Sequence, residues 1–283
     1  HGVASDAVIP ANAPVVIDNA DGVLELSMQP RFFAVPAVAI FRSCYLMLTS
    51  PEEEAHFQVL KKLLLDQSDL FPVEEMHVLY ILTINYCERR LNAGEEHFVT
   101  EVLDLYKTAL DKAYLLEDGV LSRFTYHNIA AAGITTGDLD WVRYFIDEYK
   151  SKLEKTWQES SFSYNLAKLE YASRRYSEVL QLLQKANYRD PLLNLAAKTL
   201  LLKTCYELDE LDLLQSHLDA MRNYIHRKSV LGYHRTNYLN IIRYTEKLLR
   251  LRLHDKSAVI QFREAVQKEE ILSERAFFLG VGK

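Results

Sequence analysis

The 283-residue chain is 49% hydrophobic and 25% charged, a balance that excludes wholesale disorder. It holds only 9 Gly and 7 Pro, roughly half the usual share of about 12%, which predicts long unbroken helices and excludes an all-β fold rich in tight turns. A formal charge of −6 argues against a globally basic nucleic-acid binder.

Residues 1–30 carry no Lys or Arg, so they lack the basic start of a signal peptide. With His1 in place of Met, a processed form, an expression form or a fragment is expected. Two readings of this leader stand. Val15–Ile17 and Val23–Leu26 flank Asp18–Gly22 as in a hairpin, while Pro10, Pro14 and Pro30 suit an extended tail or an expression remnant. From Phe32 to Leu48 the chain is apolar, but Pro36, Arg42 and Ser43 interrupt it, so a buried helix is expected rather than a membrane span. Ser50–Pro51–Glu52–Glu53 reads as a helix start, with Ser50 as N-cap and a stripe of Phe57, Leu60, Leu63 and Leu64 behind it. Phe71–Pro72–Val73 opens another helix, and Asn92–Gly94 breaks the chain before a helix over 95–113. Turns follow at Glu117–Gly119 and Gly137–Asp138; Asp190–Pro191 ends a repeat, and Gly232 sits near another break. Helices of about 12 to 20 residues joined by short polar turns describe an antiparallel array.

A repeat emerges in the second half. Residues 166–191 read Leu166–Ala167, Tyr171, Tyr176, Val179, Leu183, Ala186 and Pro191. The next unit reads Leu201–Leu202, Tyr206, Leu211, Leu214 and Met221; the previous one reads Ala130, Ile134, Gly137 to Leu139 and Val142. Ile134, Tyr171 and Tyr206 lie 37 and 35 residues apart, close to a helical-hairpin period of about 34. This pattern resembles the tetratricopeptide (TPR) repeat, although Glu170 stands where an aromatic is commoner and Val179 where Ala is usual. The stretches NYCERRLNAGE, SYNLAKLEY and YHRTNYLN also resemble an uncharacterised family of bacterial, Bacteroidetes-type helical-repeat proteins. The resemblance implies an all-α, right-handed α-solenoid of about six helical hairpins over 31–283, clearest at 123–225. The expected core includes Leu166, Ala167, Tyr171, Leu183, Leu201, Leu202, Ile134 and Ile146. The segment 256–283 is the expected polar cap.

No nucleophile–base, zinc or phosphate-loop spacing occurs, so neither catalysis nor a cofactor or metal is expected. Three cysteines, odd and sparse, fit a reducing, cytoplasmic setting or simple core thiols. Two constellations stand out. Asn128 and Asn165 share a register position, and Asn237 lies 72 residues past Asn165. A mid-helix Asn weakens a helix, so it needs a partner. In some TPR proteins such asparagines grip a peptide's backbone, and the resemblance implies a concave groove of Asn128, Asn165, Lys168, Lys203, Arg235 and Asn237. Bonding within the solenoid is the alternative. The second constellation is basic. Arg222, Arg227, Lys228, Arg235, Arg243, Lys247, Arg250 and Arg252 face only Glu246, so 222–252 carries +7 and the rest of the chain −13. The expected work is that of a non-catalytic scaffold for a protein or acidic peptide. The alternative is an accessory domain that contacts nucleic acid or an acidic partner through 222–252.

Overall fold

The structure, a computed structural model, describes residues 35–228, 232, 234–251 and 255–280. The leader and its 15–26 hairpin lie outside the described residues. The chain divides between Asp138 and Leu139 into two compact units. Helix dominates both, so the fold is all-α. No described helix is long and apolar enough to cross a membrane.

The first unit contains α1 (Pro36–Thr49), α2 (Glu54–Gln67), α3 (Val73–Asn92), α4 (Phe98–Asp111) and α5 (Arg123–Thr136). Its helices bury stripes at spacings of three and four, such as Ile40, Cys44 and Met47 on α1 and Phe57, Leu60 and Leu64 on α2. Phe57, Tyr86 and Phe98 form its aromatic centre, with ring centroids 5.3 to 5.7 Å apart. Ser50 closes α1 instead of capping α2: its N–H donates to the Leu46 carbonyl. The Pro51 carbonyl accepts from Tyr86 Oη and from an Arg90 guanidinium N–H, both at 2.8 Å. That oxygen is therefore committed to α3, and α2 begins only at Glu54. The expected turn at Glu117–Gly119 is a small hairpin of β1 (Leu116–Glu117) and β2 (Val120–Leu121). Asp118 and Gly119 both take positive φ, as a two-residue hairpin turn of the right twist requires.

The second unit contains α6 (Leu139–Tyr149), α7 (Lys155–Ala172), α8 (Tyr176–Lys185), α9 (Pro191–Glu207), α10 (Leu211–Arg227), α11 (His234–Leu249), α12 (Lys256–Lys268) and α13 (Arg275–Gly280). Each of α6 to α10 packs on the next helix, and α7, α9 and α11 also meet in sequence. Asp190–Pro191 starts α9 rather than merely ending the repeat before it. The Asp190 carboxylate accepts the Leu193 N–H at 2.8 Å, and Pro191 occupies the first turn. Ala167, Leu183, Leu201, Leu202 and Ile146 are buried as expected, whereas Leu166, Tyr171 and Ile134 are only partly covered.

One local structure recurs through both units. The N–H groups of Glu95, Asp138, Arg175 and Glu210 close back onto the carbonyls of Arg90, Gly133, Glu170 and Cys205. Within each closure one residue takes the left-handed conformation: Gly94, Gly137, Arg174 or Asp209. The last three lie 37 and 35 residues apart, the same intervals as Ile134, Tyr171 and Tyr206. The repeat in sequence is thus a repeat of helix endings.

Candidate functional site

The site is built on the second unit, from α7, α9, α11 and the segment that follows α12. Helix α7 has no single apolar face because other helices cover it on several sides. It buries Ser160, Ser161, Ser163, Asn165 and Glu170 along with Ala167 and Leu169. Tyr164 and Lys168, one turn apart, are only partly buried. The Lys168 Nζ lies 5.8 Å from the Tyr164 ring centroid and pairs with no carboxylate among the described residues. Burial pulls its pKa down to about 8; Glu274 opposes the fall, and the charge of Lys203 reinforces it.

From α9, Lys203 reaches over the Tyr171 ring at 4.8 Å and the Phe277 ring at 5.5 Å. Its Nζ donates to Glu274 Oε2 at 2.8 Å, and both side chains are less than one-third exposed. Tyr206 meets Phe277 edge-on at 5.7 Å. From α11, Asn237 holds Ser273 at two points: its Nδ2 donates to Ser273 Oγ at 3.0 Å, and its Oδ1 accepts the Ser273 backbone N–H at 2.8 Å. Asn240, one turn on, donates to the Ile271 carbonyl at 2.9 Å and to Glu269 at 3.0 Å. Tyr238, between them, carries a phenol pushed up to about 12 by burial, then by the charges of Glu274 and Asp190.

Two of the side chains expected to grip a foreign peptide, Lys203 and Asn237, therefore hold the protein's own segment 269–277. An asparagine amide grips a backbone N–H, a lysine takes a carboxylate, and aromatic rings meet a phenylalanine. Leu272 and Phe278 anchor this segment in the core. In the segment expected as a polar cap, residues 269–277 lie with a partly apolar side against α9 and α11.

The remaining candidates fall elsewhere. Asn165 has no solvent exposure, so the groove contact expected of it is corrected: a peptide cannot reach a fully buried amide. Asn128 belongs to the first unit, where its Nδ2 donates to Glu88 Oε1 at 3.1 Å, an oxygen that also accepts from Tyr106 Oη at 2.9 Å. Arg235 lies partly exposed in the first turn of α11. Sequence reasoning missed Tyr164, Asn240, Ser273, Glu274 and Phe277. Only Tyr164 carried a signal, its position four residues before Lys168.

The basic segment is partly neutralised. Arg222 pairs with Glu246 at 2.5 Å and Asp219 at 3.2 Å, and Arg243 pairs with Glu269. The Nζ atoms of Lys228 and Lys247 lie over the Tyr224 and Tyr244 rings at 5.7 and 5.0 Å. Arg227 donates to the Asn223 carbonyl at 3.2 Å, Arg250 is exposed, and Arg252 lies outside the described residues. Among the described residues no group of three or more His, Cys, Asp or Glu side chains could hold a metal ion. Cys44, Cys87 and Cys205 are all buried and free. Comparison with protein-family models, with curated proteins and with solved structures yields no match.

Proposed function

We propose that the second unit is a TPR-like, right-handed solenoid that works as a non-catalytic scaffold, binding an acidic peptide on the face formed by α7, α9 and α11. The observation that carries this reading is the hold of Asn237, Asn240 and Lys203 on the chain's own acidic segment 269–274. That hold combines a backbone grip with carboxylate capture, the chemistry of extended-peptide recognition. Beside it, Lys168 keeps a partly buried ammonium that pairs with no carboxylate among the described residues. A partner supplying one there would relieve the desolvation that now acts on this amine. Asn165, with no solvent exposure, makes no ligand contact in this reading.

The test is fluorescence anisotropy with a labelled glutamate-rich peptide carrying one phenylalanine. Binding should weaken steeply as salt rises from about 0.05 to 0.3 M, because screening shortens the reach of these charges to several Å. Lys168→Glu should weaken capture by roughly tenfold or more, an effect of about 1.4 kcal/mol or above. Equal affinity for a lysine-rich control peptide would refute the reading.

A second reading uses the basic segment 222–252 as a contact for nucleic acid or an acidic partner. Arg222 and Arg243 already meet carboxylates of the same unit, which favours the acidic-partner form through Arg227, Lys228, Lys247 and Arg250. Loss of binding in Arg227→Glu/Lys228→Glu, with Lys168→Glu unaffected, would favour this second surface.

A further inference from the structure

A second, independent feature lies about 140° round α9 from Lys203, given 3.6 residues per turn. It is a cleft of about 230 Å³ where α8 and the loop after it meet α9. Leu183, Ala197 and Leu201 supply apolar wall; Tyr188, Asn194 and Lys198 supply the polar side. Its volume equals roughly eight water molecules, too small for a drug-sized ligand and right for one of amino-acid size.

Besides the Tyr188 hydroxyl, itself buried with no hydrogen-bond partner, two of the polar groups lack partners among the described residues. The Lys198 side chain is partly buried, its Nζ stands 6.0 Å from the Tyr224 ring centroid, and it pairs with no carboxylate among the described residues. Burial lowers its pKa. The Asn194 Oδ1 atom is buried and accepts no hydrogen bond. Its orientation is not arbitrary, because Asn194 Nδ2 donates to the Tyr188 carbonyl at 3.2 Å and leaves the oxygen facing the other way. On α10, the buried His217 Nε2 is likewise unbonded, and burial and the charge of Lys198 lower the His217 pKa. The cleft thus presents a cation and a hydrogen-bond acceptor side by side. Asn194 and Lys198 are four residues apart on one helix, which sets their Cβ atoms about 5–6 Å apart on one face.

We propose that this cleft binds a small carboxylic acid that carries an N–H or O–H donor on the carbon next to its carboxylate, together with a short apolar side chain. Lys198 takes the carboxylate, Asn194 Oδ1 accepts from the donor, and Leu183, Ala197 and Leu201 receive the side chain. An amine cannot satisfy Lys198, and a plain fatty acid leaves Asn194 unfilled; an acylated or hydroxylated α-carbon satisfies both. A ligand of this size makes few contacts, so a Kd of about 0.1 to 1 mM is expected. This site shares no side chain with the peptide-binding face, so either proposal can fail without the other.

The probe is N-acetyl-leucine, titrated into the full chain and followed by protein-observed NMR. Saturable shifts are expected at residues of α8 and α9. N-acetyl-leucinamide, which lacks the carboxylate, should bind at least about tenfold more weakly, as should the Lys198→Met variant, which keeps the aliphatic stem. Lys198→Arg should retain binding. Asn194→Asp, nearly isosteric, should abolish it by placing a fixed carboxylate against Lys198; this arm decides the matter should Lys198→Met fail to fold. A tetrapeptide ending in leucine separates the two sources of such an acid. Tighter binding of the tetrapeptide assigns the site to a chain end, and equal or weaker binding to a free acid. Absence of saturable shifts up to about 10 mM, a ceiling well above the expected affinity, would overturn the proposal. So would binding that is indifferent to Lys198→Met and Asn194→Asp in folded protein.

Discussion

Glu170 departs from the aromatic that the repeat pattern favours, and the structure shows what it does there. Its side chain is 7% exposed and sits near the end of α7. Oε1 accepts from an Arg143 guanidinium N–H of α6 at 2.5 Å, and Oε2 accepts from Arg175 Nε. Burial raises the carboxyl pKa, but the hydrogen bonds from Arg175 and Arg143 outweigh it and leave the pKa below the usual carboxylate range. Replacing Glu170 by Gln keeps the volume and removes the charge. A hydrogen bond to a charged group contributes about 1.5 to 3 kcal/mol. Arg143 is 41% exposed, so water recovers part of this, and the expected loss is about 1 to 2 kcal/mol. Arg175 faces water and is left out of that figure. For a unit of this size the loss corresponds to a fall in Tm of about 2 to 8 °C. The sign of the pH dependence follows from the lowered folded pKa. The stabilisation is fully present above the unfolded value, near 4.3, and disappears as pH falls through the folded value. Scanning calorimetry of wild type and Glu170→Gln at pH 7, repeated at steps down to about pH 3, should show the two Tm values converging in acid. A Glu170→Gln protein that melts with wild type at pH 7, or a gap that widens in acid, would refute the reasoning. A double-mutant cycle with Arg143→Ala should return a favourable coupling, since each change removes the same contact.

Lys168 holds a depressed pKa of about 8 against an unfolded value near 10.4, so between those values the unfolded chain binds more protons and stability rises with pH. Lys168→Met should therefore stabilise the protein at pH 7 by up to about 3 kcal/mol, with the advantage fading by about pH 10.5 in urea unfolding. Ala167 is fully buried, and Ala167→Leu should overpack α7 and destabilise by about 1 to 3 kcal/mol, read from the same unfolding curves. Arg174 adopts φ +58° at a turn whose counterpart is Gly137, so Arg174→Gly should raise stability by about 0.5 to 1 kcal/mol; a lower Tm would contradict the strain assigned there.

The sequence alone determined the all-helical class, the intervals of 37 and 35 residues, and most of the core positions, because apolar spacing and chain breakers act locally. It marked turns at Gly137 and Asp209 but not at Arg174, since a side chain in the left-handed region is tolerated at modest cost once the helix behind it is packed. It placed Lys168, Lys203 and Asn237 on helices, which apolar periodicity alone supports. Tertiary structure decided their partners. Lys203 meets Glu274 across 71 residues and Asn237 meets Ser273 across 36, contacts that exist only because the chain after α12 turns back onto α9 and α11. Packing by neighbouring helices buried Asn165: a helix covered on several sides has no polar face to offer, and its neighbours, not its own periodicity, select which side chains reach solvent.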